Sequence, residues 1–282
     1  MAIEDVDAAI AVVQAANAAK VEAGLRPARP QPSNDQLRAM RLGHRRFVER
    51  DGPGAWVAVA GSHVVGVAES IRRGRFWGLS MLFVHPDVQG RGIGRQLLGA
   101  AMGYAAGASE RMIDSSPDPR AMRRYFLVGL AMHPAAQVWG AADRRAIPRS
   151  LPGRAGGEDD LDLVASVDAH VGRARAEDVA FALGDDRLRL DVVDHGPGRG
   201  WMLSAPDRVI MLGATDEQTA AVLLWRHLGA CEGETRISGL TAAQQWAFAV
   251  AHRARLSVRV GGALFVDGMP IPGPWIPSGW FF

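Results

Sequence analysis

Three glycines alternate with other residues in the stretch VHPDVQGRGIGR, which covers residues 84–95. The apolar run LSMLFV leads into it, and the helical pattern QLLGAAMGYA follows it. Backbone N–H groups at the start of a helix carry partial positive charge and bind anions such as phosphate. Glycine lacks a Cβ atom, so an anion can approach this backbone closely. The segment from Gln89 to Arg95 therefore indicates a diphosphate-binding loop, with Arg91 and Arg95 adding positive charge.

Two common phosphate-binding loops do not fit this stretch. A dinucleotide-binding loop follows the pattern G-x-G-x-x-G, and a Walker loop requires Gly-Lys followed by Ser or Thr. The stretch contains neither pattern. The loop alone leaves two interpretations open: a diphosphate site, or a glycine-rich turn that only connects a strand to a helix.

The pattern becomes more specific when the end of the strand is included. It resembles the acyl-CoA-binding motif of the GNAT superfamily of N-acetyltransferases, V-x-P-x-x-Q-G-x-G-x-G. The consensus positions match at Val84, Pro86, Gln89, Gly90, Gly92 and Gly94. The resemblance implies that the loop wraps the diphosphate of acetyl-CoA, which would serve as a co-substrate.

A second segment resembles another motif of the same superfamily, N-x-x-A-x-x-x-Y-x-x-x-G-F. It reads DPRAMRRYFLVGL and matches at Ala121, Tyr125 and Gly129. Asp118 replaces the usual Asn and Leu130 replaces the usual Phe. That Asn commonly contacts the cofactor arm, and the resemblance implies that Asp118 takes its place.

The resemblance implies a set of cofactor-binding residues. The end of the strand would offer backbone groups to the pantetheine arm and the acetyl carbonyl, and the N–H of Val84 would polarise that carbonyl. The full predicted set is Leu82, Phe83, Val84, Gln89, Gly90, Arg91, Gly92, Ile93, Gly94, Arg95 and Asp118.

The resemblance also implies catalytic residues. Tyr125 would protonate the leaving thiolate, although a Tyr that packs between helix and sheet is the alternative. Glu69, in a predicted strand, would act as the general base, directly or through water. Its alternative is a strand Glu that faces solvent. His85 is a weaker base candidate, because the family motif tolerates many residues at that position.

The first half of the chain reads as an α/β domain. Helix spacing, caps and strand patterns predict this order. The predicted helices are 4–19, 36–50, 92–106 and 118–129, and the predicted strands are 55–60, 63–71, 76–84 and 111–116. Asn34 or Asp35 is the predicted cap of the second helix. A Pro-rich loop covers 22–35. GNAT chains usually begin with a strand before the first helix, and here only Met1 to Ile3 precede it, so either the start is truncated or that strand is very short.

The second half repeats this order of elements by pattern rather than by identity. The segment RSLPGRAGGEDD at 149–160 is rich in Gly, Pro and charge and predicts a boundary, so the expected domains are 1–150 and 151–282. Helical patterns at 161–184, strands at 187–193, 200–205 and 208–214, and a helix at 216–228 precede an extended ETRISGL and a final helix. We therefore predict two GNAT-type α/β domains, each a mixed, mostly antiparallel sheet flanked by helices.

The second half lacks the features that would bind a cofactor. The strand RVIML is followed by GATDEQTAAVLL, with one Gly, two carboxylates and no Arg. The position that corresponds to Tyr125 falls near Ala249, which has no proton to donate. This half is predicted to be a degenerate repeat that shapes the acceptor pocket or covers apolar surface. The aromatic end PGPWIPSGWFF is expected to pack across the interface of the two halves, since an exposed patch of that size promotes aggregation.

Composition excludes several other classes. The chain has 282 residues and a net charge of +2, with arginines scattered rather than concentrated on one element, so no nucleic-acid surface is expected. Cys231 is the single cysteine and the histidines lack ligand spacing, so neither an internal disulfide nor a metal site is expected. The N-terminal residues do not resemble a signal peptide and no apolar run suits a membrane span, so a cytoplasmic protein is expected.

These features predict an N-acetyltransferase that transfers an acetyl group from acetyl-CoA to a primary amine by direct attack. The acceptor, a small molecule or a peptide, cannot be read from the sequence. The alternative is an acyl-CoA-binding sensor or interaction protein without turnover. The chain is expected to be a monomer, as a pseudo-dimer of its repeats, or a homodimer.

Overall fold

The chain folds into two compact units, Met1–Leu130 and Ala131–Phe282. The computed structural model describes residues 1–25 and 31–279. Part of the predicted Pro-rich loop and the last three residues of the aromatic end, WFF, lie outside the described residues.

The two units divide between Leu130 and Ala131 because the strand that follows pairs with strands of the second unit. The predicted boundary near 149–160, and with it the division into domains 1–150 and 151–282, stays a prediction of where the first repeat ends and the second begins.

The first unit follows the predicted order of elements. Before its first helix, Ile3–Asp5 form one turn of 3-10 helix, so no strand precedes that helix among the described residues. The helices are α1 (Val6–Glu22), α2 (Asn34–Asp51), α3 (Ile93–Gly103) and α4 (Pro119–Leu127), and the strands are β1 (Ala55–Ala60), β2 (His63–Arg73), β3 (Phe76–Val84) and β4 (Glu110–Ser115).

A side-chain cap fixes where α2 begins. Ser33, rather than the predicted Asn34 or Asp35, caps α2: its Oγ accepts from the N–H of Gln36 at 3.3 Å, and the Gln36 side chain accepts from the N–H of Ser33 at 2.9 Å. This reciprocal arrangement satisfies two N–H groups that the helix itself leaves without partners. The sequence prediction missed it because three polar residues in a row could each serve as the cap.

The sheet of the first unit opens on one side of β3. Strands β1, β2 and β3 are antiparallel, with a bulge that places Glu69 opposite Met81 and Ser70 opposite Leu79. Strand β4 is parallel to β3 but pairs with it only over residues 76–78. Beyond Gly78, no described strand pairs with β3 on its β4 side. The two strands therefore diverge toward their C-terminal ends.

The second unit contains the predicted elements and four strands that the sequence pattern did not indicate: β5 (Ala131–Ala141), β6 (Arg154–Ala155), β11 (Ser257–Asp267) and β12 (Trp275–Ile276). Its sheet has the order β6-β7-β8-β9-β10-β5-β11, and β12 pairs with β9. The strands are β5 (Ala131–Ala141), β6 (Arg154–Ala155), β7 (Arg189–Val193), β8 (Gly200–Ala205), β9 (Arg208–Ala214), β10 (Glu234–Leu240), β11 (Ser257–Asp267) and β12 (Trp275–Ile276), and the helices are α5 (Leu161–His170), α6 (Ala176–Ala182), α7 (Glu217–Ala230) and α8 (Gln245–Arg253).

The second unit repeats the geometry of the first at the same place in the sheet. Leu203 lies opposite Met211 and Ser204 opposite Val209, which is the same bulge as in β3. Strand β10 is parallel to β9 and pairs with it at Arg236 and Arg208 alone. Because bulge and divergence recur together, β9 of the second unit corresponds to β3 of the first.

Helices cover both faces of the second sheet. On one face, α7 and α8 bury an apolar cluster that includes Leu224, Leu228 and Val250. On the other, α5 and α6 pack Val164, Val179 and neighbouring side chains against the sheet. Each fully buried side chain of this size contributes roughly 1.5–3 kcal/mol. This apolar burial stabilises the sheet against the helices on both of its faces.

Candidate active site

The end of β3 presents backbone groups to the gap beside β4. The N–H of His85 donates to the carbonyl of Val65 on β2 at 2.8 Å. Because hydrogen-bonding direction alternates along an antiparallel strand, Leu82 and Val84 direct their backbone groups away from β2. Leu82, Phe83 and Val84 are half-buried. The N–H of Val84 thus points to the side where the sheet is open.

The glycine loop has the backbone that an anion site requires. Gly90 and Gly92 have φ angles of +82° and +84°, a region that other residues adopt with strain. Gly92 is the residue from which α3 begins, and Ile93 and Gly94 form its first turn. Amide N–H groups in that turn have no acceptor within the helix. Arg95, together with Arg91, is exposed beside them.

Gln89 ties the loop to two neighbouring elements. Its Nε2 donates to the carbonyl of Val84 at 2.9 Å, and its Oε1 accepts from Arg120 at 2.7 Å. Arg120 in turn forms an ion pair with Asp118 at 3.0 Å. The consensus Gln therefore holds the loop against the strand end and the start of α4, rather than pointing into the open gap.

Asp118 caps α4 and does not extend into the gap. Its carboxylate accepts from the N–H of Arg120 at 3.0 Å and from the Arg120 guanidinium. Burial would raise the pKa of Asp118, but the hydrogen bonds from Arg120 outweigh it and the pKa is lowered. The carboxylate is thus charged and engaged, and its predicted contact with a cofactor arm stays a prediction.

Tyr125 lies on α4 with 5 % of its surface exposed. It shares a helix face with Ala121, four residues earlier, as the spacing predicted. Burial raises the pKa of its phenol, and the charge of Arg124 opposes this rise. At neutral pH Tyr125 therefore keeps its proton, as a proton donor must.

Glu69 is fully buried and bonded to a histidine that the sequence did not single out. Its Oε1 lies 2.7 Å from Nδ1 of His44 on α2, and neither side chain has exposed surface. Burial raises the pKa of the Glu69 carboxyl, and His44 opposes the rise. Glu69 therefore does not face solvent, the alternative weighed from the sequence. The pair was missed because 25 residues separate its members in the chain.

Two more side chains near the gap escaped the sequence prediction. Lys20, at the end of α1, donates to Ser116 Oγ at 3.2 Å, and its Nζ lies 4.7 Å from the centre of the Phe83 ring. Asp114 lies on β4 beyond the last residue that pairs with β3. It is half-buried in its surface area, and burial raises its pKa to about 6. A carboxyl with this pKa is a second candidate for a base.

His85, the weaker base candidate, forms part of the turn after β3. Its Nδ1 lies 3.6 Å from the Asp87 carboxylate, and 37 % of the ring is exposed. The ring thus packs on its own turn, where it caps the short 3-10 helix.

The second unit has no comparable loop. Only residues 215–216 connect β9 to α7, where residues 85–92 connect β3 to α3. The carboxylate of Asp216 caps α7 by accepting from the N–H and the hydroxyl of Thr219, both at 2.8 Å. Burial would raise the pKa of Asp216, but hydrogen bonds led by the Thr219 N–H lower it. The chain's own negative charge thus occupies this helix start.

The gap beside β9 is filled by the C-terminal segment of the chain. The N–H of Ala214 donates to the carbonyl of Pro274 at 2.9 Å, and Trp275 pairs with Gly213. On the other side, Nε2 of Gln244 donates to the carbonyl of Trp275 at 2.9 Å. The described part of the aromatic end therefore pairs and bonds with residues of the second unit, and its packing across the two halves stays a prediction.

The catalytic positions are also apolar in the second unit. Tyr125 lies six residues before Ala131, and Ala251 lies six residues before Ser257, so Ala251 rather than Ala249 is its counterpart. Leu203, opposite Met211 across the bulge, occupies the place of Glu69. The chemical conclusion from the sequence is unchanged, since neither residue titrates.

No group of metal-ligating side chains occurs in the described ranges, 1–25 and 31–279. Within those same ranges, none of the helices is both long and apolar enough to cross a bilayer.

Comparison with known proteins places these features in a family context. Residues 19–129 match the model of the Acetyltransferase (GNAT) family. Among curated proteins, none matches the chain significantly.

Several solved structures share the fold over both units. A proposed acetyltransferase from Pyrococcus horikoshii aligns over 97 % of this chain and 89 % of its own, with 14 % identity and a TM-score of 0.76. A GCN5-related N-acetyltransferase from Sphaerobacter thermophilus aligns over 97 % and 96 %, with 16 % identity and a TM-score of 0.61. A tandem GNAT protein from the clavulanic acid biosynthesis pathway aligns over 96 % and 98 %, with 17 % identity and a TM-score of 0.55. The predicted fold of two GNAT-type domains is confirmed.

Proposed function

We propose, from the premise that residues 19–129 form an acetyltransferase domain of the GNAT family, that this chain transfers an acetyl group from acetyl-CoA to a primary amine. One observation carries the proposal: two glycines with positive φ lead into a helix start directly beside the open edge of β3. Loop and edge together suit a ligand with a diphosphate at one end and an amide-containing arm next to it.

The Val84 N–H is the proposed donor to the thioester carbonyl. Its counterpart in the second unit, the N–H of Ala214, donates to the carbonyl of Pro274. A carbonyl thus binds this position of the fold when a segment of chain fills the gap. A backbone donor of this kind stabilises the oxyanion that forms as the amine attacks.

In the proposed reaction the amine nitrogen attacks the thioester carbon while both substrates are bound. The new N–C bond forms and the C–S bond breaks, so the coenzyme leaves as a thiolate. Tyr125 gives its phenolic proton to that sulfur, and a base takes the proton that the amine loses. Burial raises the pKa of Tyr125, so the phenol carries its proton at neutral pH, as the acid role requires.

Two carboxyls compete for the role of base. Glu69 is fully buried with His44, so its action on the amine would run through a water or through a movement of α2. Asp114 is half-buried on the diverging part of β4 and has a pKa of about 6. A base works best when its pKa lies near the working pH. We propose Glu69 as the base and keep Asp114 as its competitor.

A sensor that binds acyl-CoA without turnover is the second candidate. The burial of Glu69 favours it, because no exposed base lies at the position the sequence indicated. The buried, protonated Tyr125 favours the enzyme. The acceptor class stays open between a small amine and a peptide amine.

The enzyme proposal predicts that acetyl-CoA releases free thiol only when an acceptor amine is present. A panel of small amines and of peptides with free amino groups tests both acceptor classes. Thiol release is followed with a chromogenic reagent, and the acetylated product is identified by mass spectrometry. Reactions without amine measure background hydrolysis. Tight binding of acetyl-CoA without amine-dependent release across the panel would favour the sensor.

Replacing Tyr125 with Phe removes the proton donor and keeps the ring. If Tyr125 is the acid, kcat falls by about 10²–10⁴-fold while acetyl-CoA affinity is unchanged. A packing role predicts instead a loss of about 1 kcal/mol in unfolding free energy with kcat nearly unchanged. Steady-state kinetics, calorimetry and melting on one preparation separate the two. A kcat within about threefold of wild type would remove Tyr125 from the mechanism.

Replacing Glu69 with Gln, matched by Asp114→Asn, identifies the base. The variant that lacks the base loses about 10²–10⁴-fold in kcat and the rise of kcat/KM with pH, while the other retains both. Melting curves supply an independent readout. Because the folded pKa of Glu69 is raised, its ionisation costs stability, so wild-type stability falls as pH rises through that pKa, by at most about 1.4 kcal/mol per pH unit. The Gln variant should lose this part of the slope whichever carboxyl is the base.

The second unit is proposed to bind no cofactor, so calorimetry with CoA should give one site per chain. The variant Gly92→Val tests where that site lies. A Val side chain strains a backbone with φ of +84° and blocks close approach, so affinity should fall at least tenfold, about 1.4 kcal/mol. Two sites per chain, or unchanged affinity in the variant, would contradict the proposal.

A further inference from the structure

Arg124 reaches from α4 to the first turn of α3. A Cβ atom built on Gly94 would lie 2.6 Å from Nη1 of Arg124 and 3.5 Å from a methyl group of Val84. The guanidinium therefore lies against the face of Gly94 where a larger residue would carry its side chain, and any such residue would require Arg124 to move. The charge of Arg124 thus lies at the helix start of the glycine loop and beside the end of β3.

This charge has no partner within the described part of the chain. Arg124 is half-buried, and its side chain forms no hydrogen bond or ion pair with a described residue. Arg120, one helical turn earlier on α4, differs: it is exposed and bonded to Asp118 and Gln89. A partly buried cation without a counter-charge pays for lost hydration. Its position fits an anion supplied from outside the chain.

We propose that Arg124 binds the diphosphate of acetyl-CoA from α4, opposite the glycine loop. The inference rests on the proposed function and deepens it. A guanidinium donates two parallel N–H groups to phosphate oxygens, which adds geometric precision to the charge. Because Tyr125 follows Arg124 directly, the contact also positions the helix that carries the proposed acid. Arg124 is therefore both a cofactor ligand and a positioning residue.

Asp216 shows the opposite arrangement in the second unit. There the start of α7 is capped by a carboxylate that the chain supplies itself. In the first unit the first turn of α3 lies next to the Arg124 guanidinium instead. The partial positive charge of the helix start and the charge of Arg124 therefore face the same space. An anion is the partner that both have in common.

The variant Arg124→Gln tests the contact, with Arg123→Gln as the matched control because Arg123 is exposed on the same helix. Calorimetry measures affinity for CoA, for dephospho-CoA, which keeps the diphosphate, and for pantetheine, which lacks it. Arg124→Gln should weaken CoA and dephospho-CoA equally, by tenfold or more. It should leave pantetheine unchanged, and Arg123→Gln should stay within twofold of wild type for all three.

Further variants and outcomes keep the test decisive. Arg124→Lys retains the charge without the paired donors and should recover part of the lost affinity. In turnover, Arg124→Gln should raise KM for acetyl-CoA, and kcat should fall as well if α4 is mispositioned. Melting curves identify a variant that is merely unstable, in which case Arg124→Lys decides.

Failure of the inference differs from failure of the proposed function. Wild-type protein that binds neither CoA nor dephospho-CoA overturns both. Wild-type binding together with unchanged affinity in Arg124→Gln overturns the role of Arg124 alone. A loss for CoA but not for dephospho-CoA places Arg124 on the 3′-phosphate and also overturns the diphosphate contact.

Discussion

In each unit two parallel strands diverge after a few residues, and the backbone groups left open by this divergence need hydrogen-bond partners. Buried backbone N–H and C=O groups need partners, and a strand that loses its neighbour halfway leaves a row of them open. In the first unit the open row is the end of β3, beyond Gly78. In the second unit the same row on β9 is covered by β12 of the same chain. The same strand edge is thus open in the first unit and covered in the second.

The connection that follows each of these strands agrees with this difference. After β3 the loop of residues 85–92 is long enough to wrap an anion, and Arg91, Arg95 and Arg124 surround it with positive charge. After β9 the connection is two residues long, and the carboxylate of Asp216 already satisfies the helix start. Backbone geometry and electrostatics therefore favour an external anion in the first unit and oppose one in the second.

Features encoded in contiguous residues could be predicted from the sequence. The glycine loop, the helix that carries Tyr125 and the order of elements in the first unit all follow from local pattern, whereas the long strands β5 and β11 of the second unit were missed. Contacts between distant segments could not be predicted: His44 meets Glu69 across 25 residues, and Arg120 meets Gln89 across 31. Strand β12 was also missed, because two paired residues are too short to show an alternating pattern. Periodicity reports which face of an element is buried, but it does not report which element buries it.

The order in which the chain is synthesised gives the closing strand of the second unit a further consequence. β9 leaves the ribosome about 60 residues before Pro274 to Ile276, which at roughly 5–20 residues per second is a delay of about 3–12 s. Throughout that interval one side of β9 is an unprotected sheet edge, the kind of surface on which nascent chains associate wrongly. In the first unit the corresponding edge of β3 has no closing strand among the described residues, so its state does not depend on a later segment of this kind. A fusion placed after Ile276 would act on the pairing of β12 with β9, which is the step that covers this edge.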